Sequence, residues 1–310
     1  MDALVSIIIP TKNRQNIVTD AVRSALEQTH TQTEVIVVDD ASGDNTQEVL
    51  RREFGNRITI IRRAHSGGPA AARNSGAKAA RGNYLLFLDD DDLLLPWAAE
   101  SLLKILSKHR CVGIAFGDGF DVRNGRVCRT FLIQKPSQGR VFFSLLRSNF
   151  IAGSGTMVTR KVWLECGGFR ENFMLAQDYE FFLRVSRRYP VFFTRNPVWV
   201  RRILDEGRSK VLSQKRWHHF HRFVSQAKLS VLKEYKGILP LDLWMYARLP
   251  RFCQIAFFYL WRIANSTPKG IAFVARDRIR GHIVGAIKAV AATIANLARQ
   301  TPVRNMNRYA

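Results

Sequence analysis

Four carboxylates stand side by side at Asp89, Asp90, Asp91 and Asp92, directly behind the apolar run Tyr84, Leu85, Leu86, Phe87 and Leu88. Adjacent like charges repel unless a counter-ion sits among them, and a cluster of carboxylate oxygens is the ligand set of a hard divalent cation. The apolar run, bounded on its other side by Gly82, has the composition of a strand buried on both faces of a parallel sheet. Open α/β sheets bind ligands beyond the carboxyl ends of their strands, so the acidic turn falls where a pocket is expected. The competing reading is a solvated turn that caps a helix starting near Pro96, with Asp91 or Asp92 as N-cap. A cap uses one acid and leaves three unexplained, which favours metal or substrate binding.

The elements that must position this turn are readable upstream. Residues 4–9 are an apolar, β-branched run closed by Pro10, with residues 11–14 as its carboxyl-end loop. Ile17, Val18, Ala21, Val22, Ala25 and Leu26 recur at helical spacing, and residues 34–38 form a second strand that again ends in acids, Asp39 and Asp40. A polar turn over residues 41–46, a helix over 47–54 and a third strand over 58–61 complete a βαβαβ rhythm. Right-handed crossovers build such a rhythm into a parallel sheet with helices on both faces. In residues 65–76, Gly67, Gly68 and Pro69 break the chain and the alanines after them start a helix. Free backbone N–H groups and the side chains of Arg73 and Asn74 are thereby placed at the pocket mouth. The segment is neither a Walker loop nor a GxGxxG fingerprint.

Taken together, VSIIIPTKNR (5–14), EVIVVDDASGDNT (34–46), GGPAAARNSG (67–76) and YLLFLDDDD (84–92) resemble glycosyltransferase family 2. The resemblance implies a GT-A fold, a nucleotide-diphospho-sugar donor with UDP-sugars favoured, Mn²⁺ or Mg²⁺ as cofactor, and inversion at the anomeric carbon. It makes Asp40 the acid that contacts the base, with Pro10 and Thr11 lining the nucleoside pocket, Arg14 in the same loop, and Arg73 and Asn74 on the donor. Asp90 matches the ribose-facing position and Asp91 the metal position, with Asp89 and Asp92 as supporting acids. Lys12 stands where many members carry an aromatic residue.

Further along, Gly167, Gly168 and Phe169 precede the pair Gln177-Asp178. The family shows GGF followed by Glu-Asp at the start of a helix, the Asp being the catalytic base, and Asp178 matches it while Gln177 replaces the usual Glu. By itself Asp178 reads equally well as an acid complementing a helix dipole. The family's diphosphate-binding loop maps to residues 200–209, where Arg202 is the candidate. Between these points the spacing predicts a helix over 96–107, a strand over 111–116 and a turn at Asn124-Gly125.

The net charge of +23 is concentrated late in the chain: from Glu206 onward 19 Lys and Arg face only 4 Asp and Glu. Aromatic residues such as Trp244, Phe257 and Trp261 alternate there with Arg248, Arg251 and Arg262, as in a helix lying on an anionic membrane surface. No stretch reaches the roughly 18 uncharged apolar residues of a membrane span, and no signal peptide pattern opens the chain. The expected layout is a GT-A domain over residues 1–209 (donor half to about 95, acceptor half from about 96) and a basic amphipathic helical region over 210–310. The expected location is cytoplasmic and peripheral on the inner face of the cell membrane, with a glycan or lipid-linked acceptor. Four widely spaced cysteines give neither a zinc site nor a disulfide framework, and His218, His219 and His221 lack a carboxylate to complete a metal site. Nucleic acid is not the expected partner, because the positive charge follows an aromatic tail rather than a reading module. A metal-dependent prenyltransferase would carry its acids on helices, not after a strand.

Overall fold

A computed structural model describes residues 3–109, 111–123, 126–129, 138–202 and 217–234. Strands β1 (Val5–Thr11), β2 (Thr33–Asp39), β3 (Thr59–Arg62) and β4 (Tyr84–Phe87) alternate with helices α1 (Val18–Leu26), α2 (Thr46–Phe54) and α3 (Gly68–Ala79). These four strands pair in parallel in the order β3-β2-β1-β4. Every residue of β1 is buried, as a strand with helices on both faces requires.

The first strand does not stop at Pro10, as the sequence suggests, but runs through Pro10 to Thr11, paired with Val38 and Asp39. Pairing with β4 has already ended at Ile8 and Phe87. The Ile8 carbonyl points to the β4 side, where it accepts from Leu88, and Pro10, two residues on, faces the same way. Its missing N–H therefore removes no bond from the ladder. At the opposite end of the layer, the Glu34 carboxylate accepts from Ser6 Oγ (2.7 Å), the Arg81 backbone N–H (2.7 Å) and Nε (2.8 Å), and the Gly82 N–H (3.1 Å). Burial alone would raise its pKa; these donors outweigh burial and lower it, fastening the chain where it leaves α3 for β4. That stabilisation is present above the ordinary carboxylate range and is lost as pH falls through the depressed pKa.

Beyond β4 the sheet becomes mixed. It continues with β5 (Asp92–Leu94), α4 (Ala98–Lys108), β6 (Ile114–Arg123), β7 (Arg126–Arg129), α5 (Phe142–Arg147), β8 (Thr156–Thr159), α6 (Arg160–Glu165), α7 (Gln177–Arg188) and β9 (Val191–Arg202). Strand β8 lies antiparallel to β4 and β6, β9 runs parallel to β6, and β5 closes the order antiparallel to β9. The competing reading of Asp91 or Asp92 as a helix cap is thereby excluded. The chain re-enters the sheet as β5 before α4 begins, with Asp92 paired to Arg201, so neither acid caps α4. The strand expected at 111–116 forms as Ile114–Arg123 and pairs with β7, and the turn expected at Asn124-Gly125 lies outside the described residues.

Residues Met1–Val231 make one compact unit. It includes most of the helix Trp217–Lys233, where Ala227 and Val231 are buried and Lys228 Nζ donates to the Arg147 carbonyl at 3.4 Å. The side chains of His218, His219 and His221, the loop after Arg202 and the aromatic, basic segments from residue 239 lie outside the described residues. Among the described residues no helix is long and apolar enough to cross a membrane.

Candidate active site

A cleft of about 260 Å³ opens where β1, β2 and β4 end, lined among others by Thr11, Arg14, Asp40, Arg73, Gln177 and all four acids of the 89–92 turn. The turn separates its carboxylates into two groups. Asp89, Asp91 and Asp92 each bring an oxygen to within 4.8 Å of the others. Asp90 instead accepts from Thr11 Oγ1 at 2.8 Å and lies 4.0 Å from Arg14 Nε, while Arg14 Nη2 is 3.9 Å from Asp91. Burial, followed by the charge of Asp91, raises the Asp90 pKa to about 6. Burial and Asp89 push Asp92 well above its ordinary value, although Ser154 Oγ donates to it at 2.5 Å. Ser154 also accepts from the Asp89 N–H at 3.2 Å, so one hydroxyl ties the two ends of the acidic turn together. Three hard oxygen donors at this separation suit Mn²⁺ or Mg²⁺, and the crowding of like charge is what a cation would relieve.

Asp178 stands at the start of α7, directly after the cleft-lining Gln177. Its Oδ1 accepts from the Tyr179 N–H at 2.8 Å. A Cβ placed on Gly153 would lie 3.4 Å from Asp178 Oδ2, 3.7 Å from Asp89 Oδ2 and 3.8 Å from Arg73 Nη2. Asp178, Asp89 and Arg73 thus converge on the backbone of Gly153. Burial raises the Asp178 pKa against the opposing charge of Arg73. Arg73 is itself buried, donates through Nη2 to Asp89, and lies over the Phe169 ring at 5.6 Å. Burial disfavours its charge, but Asp89 and Asp178 more than compensate.

The helix α7 is held in place by the glycine pair that precedes it. Gly168 has a φ of +64°, and a Cβ there would come 2.8 Å from Asn74 Oδ1. That oxygen accepts from the Phe169 N–H at 2.9 Å, while Asn74 Nδ2 donates to the Phe169 carbonyl (2.8 Å) and to Glu171 (2.9 Å). Asn74 is therefore a correction: its amide is used within the fold, joining α3 to the approach to α7, and it does not line the cleft. Arg202 lines the cleft, and its guanidinium also donates to the Asp91 carbonyl (2.9 Å), the Ile17 carbonyl (3.0 Å) and Asp20 (2.5 Å), bracing the backbone of the acidic turn.

At the far end of the cleft Asp40 accepts from Arg63, from Ser66 Oγ (2.8 Å) and from the N–H groups of Gly67 (3.0 Å) and Gly68 (2.8 Å) at the start of α3. Burial would raise its pKa, yet these donors lower it and hold the side chain ionised. Lys12 bonds Ser66 Oγ at 2.9 Å, where the family often places an aromatic residue. Asn13, Ala41 and Ala176 are the non-glycine residues with positive φ among the described residues, and each adjoins a cleft side chain: Lys12 and Arg14, Asp40, and Gln177. Such backbone costs about 1–3 kcal/mol per residue and gathers where side-chain direction matters more than local stability. Sequence reasoning missed Gly153 and Ser154; the run of small residues at 152–155 was the available signal.

A cleft at strand ends with clustered acids in its wall, on a mostly parallel sheet that turns mixed, is the arrangement of a GT-A type glycosyltransferase fold. The family model for glycosyl transferase family 2 matches residues 6–168, and the chain belongs to that family. It is 33% identical over 228 residues to the chondroitin synthase of Pasteurella multocida, covering 70% of this chain and 22% of that protein. An uncharacterized glycosyltransferase of Haemophilus influenzae is 30% identical over 191 residues, 59% of this chain and 62% of its own. The chain thus spans about a fifth of the length of the first and under two thirds of the second. Among solved structures, S. aureus TarS 1-349 in complex with UDP-GlcNAc superposes with a TM-score of 0.62 at 18% identity, covering 93% of this chain and 80% of TarS. The mannosyltransferase PcManGT of Pyrobaculum calidifontis, in complex with GDP-Man and Mn²⁺, gives 0.59 at 19% identity, covering 96% and 88%. At these identities the two structures establish the fold.

Proposed function

We propose that this glycosyltransferase moves a sugar from a nucleoside diphosphate to an acceptor hydroxyl in one inverting displacement, with Asp178 as general base. The observation that carries the reading is the convergence of Asp178 Oδ2, Asp89 Oδ2 and Arg73 Nη2 within 4 Å of one point above Gly153. The acceptor oxygen attacks the anomeric carbon as its proton passes to Asp178. The bond from that carbon to the diphosphate oxygen breaks, and the electron pair leaves on the diphosphate. The raised pKa of Asp178 makes it a stronger base than an exposed aspartate once it is deprotonated. Arg73 and Arg14 keep fixed positive charge beside the acids, and Pro10, Thr11 and Asp40 line the nucleoside end. Asp91, with Asp89 and Asp92 beside it, would hold a divalent cation, which supplies charge neutralisation for the departing diphosphate.

The expected donor is a UDP-sugar; the neighbours carry UDP-GlcNAc and GDP-Man, so both nucleotides belong in a test. No covalent enzyme intermediate is required, so an α-linked donor sugar must give a β-linked product. Proton NMR of the glycoside formed reads this directly, and an α-linked product contradicts single displacement.

The acceptor is expected to be a growing cell-surface glycan or a lipid-linked sugar, presented at an anionic membrane surface to the basic residues beyond 209. Each Lys or Arg near such a surface contributes about 1 kcal/mol, screened by salt. The full chain should float with anionic vesicles at low salt, and a chain ending at Glu234, which keeps the packed helix Trp217–Lys233, should float far less. Equal flotation of the two removes the tail from the explanation.

A further inference from the structure

A second concave surface, a groove of about 460 Å³, lies between α4 and the first half of β9 and shares no lining residue with the catalytic cleft. Trp97 flanks one end of α4 and His109 the other, and the helix of 11 residues between them is about 16 Å long. The Trp97 indole N–H donates to the Pro197 carbonyl at 2.8 Å, yet 42% of the residue is exposed, so it offers solvent ring carbon held in a fixed orientation. His109 is stacked on Phe192, with ring centroids 5.0 Å apart and planes 27° from parallel. Lys104 and Lys108, four residues apart on one face of α4, join these rings in the lining, and Arg195 comes from β9. None of the three cations forms an ion pair among the described residues. Glu100 is the one acid in the lining, and it accepts from Thr29 Oγ1 at 3.1 Å.

A single apolar side chain on a surface needs no explanation, but a pinned indole and a stacked ring pair in one groove, ringed by unpaired cations, do. The cations select an anionic occupant. That argues against the chain's own late segments, where 19 Lys and Arg face 4 Asp and Glu from Glu206 onward. Concavity argues against a bilayer, which is flat on this scale, and bare aromatic carbon is of no use to a polyanion held by charge alone. A charged sugar meets both demands. Its ring C–H groups make an apolar face that stacks on an aromatic ring, and its carboxylate or phosphate substituents take the ammonium and guanidinium groups. We propose that this groove binds a run of an anionic glycan, at a carbohydrate site separate from the catalytic cleft. Resting on the acceptor reading above, that glycan is the part of the acceptor already built. Strand β9 leads from one site to the other: Phe192 to Asn196 line the groove, and Arg201, about 16 Å further along the strand from Asn196, lines the cleft. A short oligosaccharide spans that separation.

The test uses the full chain, labelled with ¹⁵N, and follows the indole N–H signal of Trp97, assigned by its loss in Trp97→Phe. That signal reports the groove, so polyanion bound elsewhere on the basic chain does not register in it. Octasaccharides of polygalacturonate and of hyaluronan, a disaccharide of each, neutral malto-octaose, poly-glutamate and phosphatidylglycerol vesicles are added in turn at physiological salt. At least one acidic octasaccharide is expected to shift the signal. Its disaccharide, too short to reach from Trp97 to His109, should bind at least about tenfold more weakly. The double variant Lys104→Gln with Lys108→Gln changes only exposed side chains and should weaken the octasaccharide about fivefold. No shift from either acidic octasaccharide, or an equal one from malto-octaose, overturns the anionic glycan. An equal shift from poly-glutamate makes the groove an acidic-peptide site, and a shift from vesicles alone makes it a membrane contact; either result also overturns it. Binding is read without any nucleotide sugar, so failure of the donor reading leaves this measurement intact.

Discussion

Replacing Asp178 by Asn is expected to lower turnover by at least about 10²-fold while leaving donor affinity nearly unchanged. The amide is almost isosteric, and its oxygen still accepts from the Tyr179 N–H that fixes the side chain at the start of α7. What it cannot do is take a proton. Because burial raises the Asp178 pKa, wild-type kcat should climb with pH through a value above the ordinary carboxylate range. Asp178→Asn should lose that limb. Steady-state kinetics with calorimetric donor binding separates the alternatives, since parallel losses in kcat and affinity would mean that Asp178 holds the helix rather than the proton.

Asp91→Ala is expected to abolish the part of donor binding that depends on Mn²⁺, as chelation of the metal should in wild type. Asp91 is more accessible than Asp90 in the turn, at 27% against 14% side-chain exposure. Asp92 is withdrawn further by its bond to Ser154. Removing one of several crowded carboxylates should not unfold the protein. After burial, Asp91 is the largest influence raising the Asp90 pKa, so its loss relieves like-charge repulsion in the metal-free state. The melting temperature without metal should hold or rise, while the increase that Mn²⁺ gives wild type should disappear. A variant that still binds donor better with Mn²⁺ than without would remove Asp91 as the principal ligand.

The donor half was legible because its signals are local and repeat: an apolar run, an acid at its end, then a helix. Parallel strands covered on both faces write themselves as continuous hydrophobic stretches, and β1, β2 and β4 formed within two residues of where those stretches lie. The acceptor half was less legible because β5 and β8 are only three and four residues long and are placed by partners distant in sequence. Nothing in Asp92, Leu93 and Leu94 says strand until β9 lies beside them. Side-chain roles divided the same way. The cluster of Asp89 to Asp92 was readable by type, whereas the bonds that Asn74 and Arg202 make within the fold were not. Their partners, Phe169 and Asp20, are 95 and 182 residues away. Gly153 and Ser154 gave no signal beyond being small. Their importance lies in what the fold brings against them.

A cleft that activates a nucleotide sugar releases nucleoside diphosphate from it. Purified full-length protein is incubated with Mn²⁺ and each of a panel of UDP- and GDP-sugars, and the nucleoside diphosphate formed is quantified over time. Release is expected from at least one donor, stopped by chelation of the metal and reduced by at least about 10²-fold in Asp178→Asn. Release that persists undiminished in the chelated protein or in Asp178→Asn, or none from any donor, would contradict it.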